Sequence, residues 1–178
     1  MGVQKERMLA GEPYIADDPE LTADYRRALR LCRQYNESED RAVLAELLAV
    51  LGDDVDVRPP FRIEYGYQTR IGSRTFVNHD AVFLDVARIT VGDDVQMGPH
   101  VQLLTATHPI DPELRRARWE GGEPITIGDN VWLGGGVIVC PGVTIGENTV
   151  VGAGAVVPED LPPNVVAVGN PARVVKQV

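Results

Sequence analysis

The sequence has few of the groups on which catalysis usually depends: three histidines, two cysteines, and basic residues outnumbered by acidic ones. The net charge of −9 argues against a nucleic-acid or anionic-membrane surface. An anionic cofactor remains compatible, since a few basic residues can be placed locally. No apolar run approaches the length of a membrane span, and the first residues lack the charged, apolar, small-residue order of a signal peptide. A cytoplasmic protein is expected. Cys32 and Cys140 lie in two different kinds of segment, one helical and one repetitive, so free thiols are expected rather than a disulfide. A metal site of three imidazoles would require all of His79, His100 and His108 to converge, and no metal is expected because the sequence around His108 points elsewhere.

What the chain does have is a repeat. Across 127–157 an aliphatic residue returns at every sixth position: Ile127, Leu133, Val139, Ile145, Val151 and Val157. Four places after each of the first five comes a small or β-branched residue: Val131, Val137, Val143, Thr149 and Ala155. A unit this short cannot bury its apolar row alone, so units must stack. In a helix the anchors would spiral around the rod, because six residues make about 1.7 turns. Strands joined by regular corners satisfy the spacing, and β-branched anchors suit them. The repeat predicts a parallel β-solenoid, so the fold class is mainly β.

Upstream, 21–36 carries Leu21, Tyr25, Ala28, Leu29 and Cys32 at helical spacing, and 41–51 carries Val43, Leu44, Leu47, Leu48 and Leu51, with Gly52 as a stop. These two predicted helices form an N-terminal cap over 1–58, covering strand edges that the end of a solenoid leaves unpaired. Pro59 and Pro60 mark the passage to the solenoid, 59–178. There Ile71, Val77 and Phe83 are six apart; the register then slips, with two extra residues expected around 88–90, and resumes at Val91, Met97 and Leu103. Over 105–124 the period disappears. A long loop in a compact repeat protein is usually functional, and this one is expected to leave the prism as an arm.

The run ITIGDNVWLGGGVIVCPGVTIGENTVVGAGAVV resembles the hexapeptide-repeat acyltransferases. TATHPIDPELR at 105–115 is similar to the active-site segment of the maltose and galactoside O-acetyltransferases. So are GEPY at 11–14, PPFRIEYGY at 59–67, FVN at 76–78, FLDV at 83–86, PITIGDNVWLG at 124–134 and VGNPARVVK at 168–176. The resemblance covers essentially the whole chain, in order, with the maltose branch the nearer. It implies left-handed coils, where the usual rule for parallel crossovers gives right-handed ones. It also implies acetyl-CoA as cosubstrate, a small-molecule sugar acceptor, and a homotrimer with each site between neighbouring subunits.

By the same resemblance His108 is the general base. The chemistry agrees: a sugar hydroxyl must lose its proton as it attacks a thioester, and a neutral imidazole suits that task at pH 7. Gly135 matches the position whose N–H faces the oxyanion. For the acceptor, Asn78 matches a residue that holds the reacting hydroxyl, and Asp85 lies in the pocket segment. Val86 stands where galactoside enzymes have an acid, and Glu64 where they have a serine; both departures favour glucose or maltose. Glu120 matches an acidic pocket residue of the maltose branch. The cap is expected to supply an acid and an arginine, Asp17 and Arg26, with Asp18 and Arg27 as alternatives. For coenzyme A the matches are Gly135, Ala153, Trp132 as an apolar wall, and Arg173 and Lys176 for the phosphates. Pro158 and Glu159 replace a frequent Thr-Lys, so one cationic contact is absent. Two other readings stay open: the same fold acetylating a galactoside, an amine or an antibiotic, and a non-catalytic solenoid scaffold.

Overall fold

The computed structural model describes residues 2–178. The cap opens with α1 (Val3–Leu9), β1 (Tyr14–Ile15), α2 (Pro19–Ser38) and α3 (Arg41–Leu47). Asp18 starts α2 by accepting hydrogen bonds from the Glu20 and Leu21 N–H groups, and Pro19 occupies the first turn. Among the described residues no helix is long and apolar enough to cross a membrane.

Three strands then make each coil. The first coil is β2 (Val50–Leu51), β3 (Asp56–Val57) and β4 (Phe61–Ile63); the second is β5 (Thr69–Ile71), β6 (Phe76–Val77) and β7 (Ala81–Leu84); the third is β8 (Ile89–Val91), β9 (Gln96–Met97) and β10 (Gln102–Leu104). The 105–124 excursion contains β11 (Ala106–Thr107), α4 (Pro112–Arg116) and β12 (Trp119–Gly122). The coils resume with β13 (Ile125–Ile127), β14 (Trp132–Leu133), β15 (Ile138–Val139), β16 (Thr144–Ile145), β17 (Val150–Val151) and β18 (Val156–Val157). A partial last coil gives β19 (Val165–Val168), and β20 (Arg173–Gln177) folds back antiparallel on it.

Like strands stack in parallel into three sheets, ordered β16-β13-β8-β5-β2, β20-β19-β17-β14-β9-β6-β3 and β18-β15-β10-β7-β4. We call them the first, second and third faces. All six anchors from Ile127 to Val157 are buried inside the prism, as are Val131, Val137, Val143, Thr149 and Ala155. The core is this axial column of aliphatic side chains, which is why a six-residue period is enough to define it.

Three expectations are corrected. The helix predicted to reach Leu51 ends at Leu47, and Val50–Leu51 pairs with β5 as the first strand of the solenoid. The extra residues lie at 85–88, between β7 and β8, rather than around 88–90, where Ile89 already opens a strand. The coil before has the same longer corner at 64–68. The excursion is no free arm: β12 pairs antiparallel with both β11 and β1, which ties the loop to the cap.

The cap bonds to an edge strand. β4 is an edge strand, and Asn36 completes its ladder: the Phe61 N–H donates to Asn36 Oδ1 at 2.9 Å and Asn36 Nδ2 donates to the Phe61 carbonyl at 2.9 Å. Cys32 Sγ donates to the same carbonyl, and the Tyr35 hydroxyl donates to the Val57 carbonyl. Both cysteines are free thiols.

Candidate active site

The small sheet β1-β12-β11 builds one half of the site. Thr107 pairs with Gly121 and Tyr14 with Glu120, so the next residue of the loop, His108, emerges beside Glu120. Both line a cavity of about 540 Å³, together with Ala16, Arg118 and Trp119. His108 is exposed and Glu120 half-buried. Burial raises the Glu120 carboxyl above its ordinary range, while His108 and the Tyr14 hydroxyl oppose the shift. Tyr14 is itself buried, and among the described residues its hydroxyl makes no hydrogen bond of normal geometry although it lies against Glu120.

A smaller cavity of about 150 Å³ adjoins the first through Ala16 and Glu120 and is lined by Thr22, Tyr25, Tyr65 and Glu64. Burial also raises Glu64, with Asp85 and Glu120 adding to the shift. In the cap, Asp18 is committed to starting α2, whereas Asp17 is exposed beside Arg118, with 3.6 Å between Oδ2 and Nε. Arg27 donates to the Glu46 carbonyl, which among the described residues leaves Arg26 as the unengaged arginine of the pair, one turn beyond Thr22.

Asp85 departs from the expectation that it faces the acceptor. It is fully buried, accepting from the Tyr65 N–H at 2.7 Å and from the Thr69 hydroxyl at 2.9 Å, and lines no cavity described above. Its side chain pins the longer corner 64–68, because that corner's amides would otherwise lack acceptors. Burial pushes its carboxyl up to about 6, against the lowering effect of those hydrogen bonds. A folded value above the unfolded 3.8 means that the folded state holds the proton longer, so stability falls as pH rises through about 4 to 6. At roughly 1.4 kcal/mol per pK unit, Asp85→Asn should gain about 1.4 kcal/mol on the wild type between pH 5 and 7.5. Urea midpoints at the two pH values measure this, and a constant difference would refute it.

The other half of the site lies on a different edge. Asn78 and Gly98 directly follow β6 and β9, Gly135 and Ala153 come one residue further on after β14 and β17, and all four lie on the corner between the second and third faces. Among the described residues the Gly135 N–H has no hydrogen-bond partner, while the neighbouring Gly136 N–H donates to the Pro99 carbonyl at 2.8 Å. Gly98 keeps this corner tight: a Cβ there would stand 2.5 Å from the Gly135 nitrogen. On the adjoining second face, Trp132, Val150, Val166 and Lys176 occupy one outward row, with Trp132 exposed. Arg173, also exposed, opens the last strand beside Val168.

His108, Glu120, Glu64 and Asp17 are thus gathered at one edge of the third face, and Asn78, Gly135 and Ala153 at the other. One chain does not bring the two sets together. Sequence reasoning overlooked Arg118 and Trp119 in the His108 cavity; an arginine and a tryptophan inside the aperiodic loop were the available signal.

The maltose acetyltransferase hexapeptide capping motif matches residues 7–52, and the bacterial transferase hexapeptide (six repeats) matches 124–159. Nodulation protein L of Rhizobium meliloti is 48% identical over 177 residues, covering 96% of this chain and 97% of its own. The crystal structure of a maltose O-acetyltransferase from Clostridium difficile superposes with a TM-score of 0.96 at 46% identity, covering 99% of this chain and 98% of that one. A Vibrio cholerae hexapeptide-repeat acetyltransferase complexed with acetyl coenzyme A superposes at 0.91 with 41% identity, covering 99% and 98%. The fold is accordingly the left-handed parallel β-helix. The chain belongs to the maltose and galactoside O-acetyltransferase family of hexapeptide-repeat acyltransferases, whose cosubstrate is acetyl-CoA.

Proposed function

We propose that this chain transfers the acetyl group of acetyl-CoA to a hydroxyl of a sugar such as maltose or glucose, with His108 as general base. The observation that carries this reading is His108 beside Glu120 on a cavity large enough for a sugar, in a chain of this family. The neutral imidazole takes the hydroxyl proton as the oxygen attacks the thioester carbonyl, and the new C–O bond gives a tetrahedral oxyanion. The unpartnered Gly135 N–H stabilises that oxyanion. Collapse breaks the C–S bond, and the proton leaves with the coenzyme thiol. No covalent enzyme intermediate is required.

Asn78 holds the reacting hydroxyl, and Glu64, Glu120, Asp17 and Arg26 bind the acceptor. Asp85 serves the pocket only through the corner it pins. Gly135 and Ala153 take the pantetheine arm along their edge, Trp132 walls it, and Arg173 and Lys176 meet the phosphates. Because the two halves lie on opposite edges of the third face, a complete site needs a second copy. That face turns Val82, Ile138 and Val156 outward in one row with Gln102 and, at its end, Arg62, a mixed surface that a contact between copies can cover. A homotrimer around it sets His108 of one chain over the Asn78–Gly135 edge of the next.

Thiol release from acetyl-CoA with maltose, glucose, a galactoside and an amine tests the reading. Maltose and glucose should rank first, since Val86 is buried and apolar where a galactoside acceptor calls for an acid. Coenzyme binding without release from any sugar would move the acceptor to another class. Failure to bind the coenzyme would favour a scaffold.

A further inference from the structure

The His108 cavity contains one side chain, Arg118, for which acetyl transfer to a neutral sugar has no use. Arg118 follows the short helix α4 with φ +64°, a left-handed conformation that favours glycine. Its backbone is fully employed, the N–H donating to the Arg115 carbonyl and the carbonyl accepting from the Ala16 N–H. Glycine would make the same bonds without strain, so the turn does not call for arginine. The side chain's one ion pair, with Asp17 at 3.6 Å, is about two-thirds exposed on both partners and contributes little.

The neighbouring arginines also line the cavity, but each holds a closer partner than Arg118 does. Arg115 Nη1 donates to the Pro109 and Ile110 carbonyls at 2.9 and 3.0 Å and shapes the loop, and Arg116 pairs with Glu113. Arg118 therefore retains free donors at the cavity wall. Beside it, Trp119 also lines the cavity, while the Arg7 guanidinium lies 5.2 Å from the centroid of its ring and steadies it. A fixed aromatic surface next to a forked cation fits a ring with an apolar face and a negative substituent.

We infer that this cavity is a subsite for an anionic sugar, a pyranose bearing a carboxylate or phosphate, with Trp119 under the ring and Arg118 paired to the charge. The inference rests on the sugar-acceptor reading above and narrows it. Arg118 is then a specificity-determining residue, and the strained turn is retained for its side chain.

Titration calorimetry of the CoA-bound protein with glucose, glucuronate, glucose 6-phosphate and glucosamine reads the subsite without turnover. Thiol release with the same four reads the reaction. Glucuronate or glucose 6-phosphate should bind about tenfold more tightly than glucose, with glucosamine weakest, as for a charge-assisted hydrogen bond. Which of the two anions binds tighter distinguishes carboxylate from phosphate. Arg118→Gly should abolish the preference, weaken the anionic sugars far more than glucose, and keep or raise the melting temperature. Arg118→Lys should restore part of the preference. Equal binding of charged and neutral sugars by the wild type would overturn the inference. So would a preference that survives Arg118→Gly, or a loss confined to acetyl-CoA affinity, which would give the guanidinium to the coenzyme. Tighter glucuronate binding with no thiol release from any of the four would uphold the subsite and sink the sugar-acceptor reading.

Discussion

His108→Ala should lower kcat by about a hundred- to ten-thousand-fold, the range expected for removing a positioned general base, with acetyl-CoA affinity nearly unchanged. The side chain is exposed and holds no part of the fold together, so the melting temperature should not move. Initial rates from thiol release with a sugar, beside calorimetric titration of acetyl-CoA, separate the two quantities. A loss below tenfold would remove His108 from the chemistry. The same variant probes the division of the site between two edges. Mixed and refolded with Asn78→Ala, it should regain activity, because about a quarter of the shared sites in random mixed trimers take both intact residues from different chains. No recovery would place both residues of a site within one chain, against the geometry of the third face.

Phe83→Ala should cost about 3–5 kcal/mol, the largest stability loss expected from any single truncation described here. Phe83 is fully buried on β7, inside the third face, and its ring meets that of Phe61 edge-on with centroids 5.2 Å apart. Deleting it opens a cavity between two coils and loosens Phe61, the residue on which Asn36 and Cys32 anchor the cap. Rigid stacked strands have little freedom to collapse into the gap. Urea denaturation at fixed protein concentration measures the loss, since subunit association adds to apparent stability. A loss under about 1 kcal/mol would mean that the coils close around the hole.

The solenoid was legible because its physics is periodic: each buried anchor from Ile127 to Val157 repeats the environment of the one before. The first coil carries the same signal in Leu51, Val57 and Ile63, six apart. It was masked because Leu51 also continues the helical spacing of Leu44, Leu47 and Leu48, and because Pro59 and Pro60 read as a boundary. Two residues of strand are too short to outvote a helical pattern; the pairing of Val50 with Arg70 decides the matter. The placement of Asp85 could not be read, because a carboxylate that ties down a corner and one that binds a sugar look alike until its partners at Tyr65 and Thr69 are seen. Asp17 and Asp18 separated for a similar reason, as only the start of α2 shows which carboxylate is spoken for. The tie between loop and cap was hidden too, because Tyr14 and Glu120 are far apart in sequence.

The pairing of β8 directly with β13 closes the ladder across the whole 105–124 excursion, with Ile89, Thr90 and Val91 opposite Ile125, Thr126 and Ile127. The chain leaves the prism and returns at almost the same point, so the scaffold is indifferent to what the excursion contains. On the reading proposed above, the base and one wall of the acceptor pocket come from that detour and from the cap strand paired to it, while the edge offered to the coenzyme comes from the coils. The two can diverge at different rates. Exchanging the loop together with β1 between members of the family is therefore a route to new acceptors that leaves the acetyl donor, and the column of aliphatic side chains beneath it, untouched.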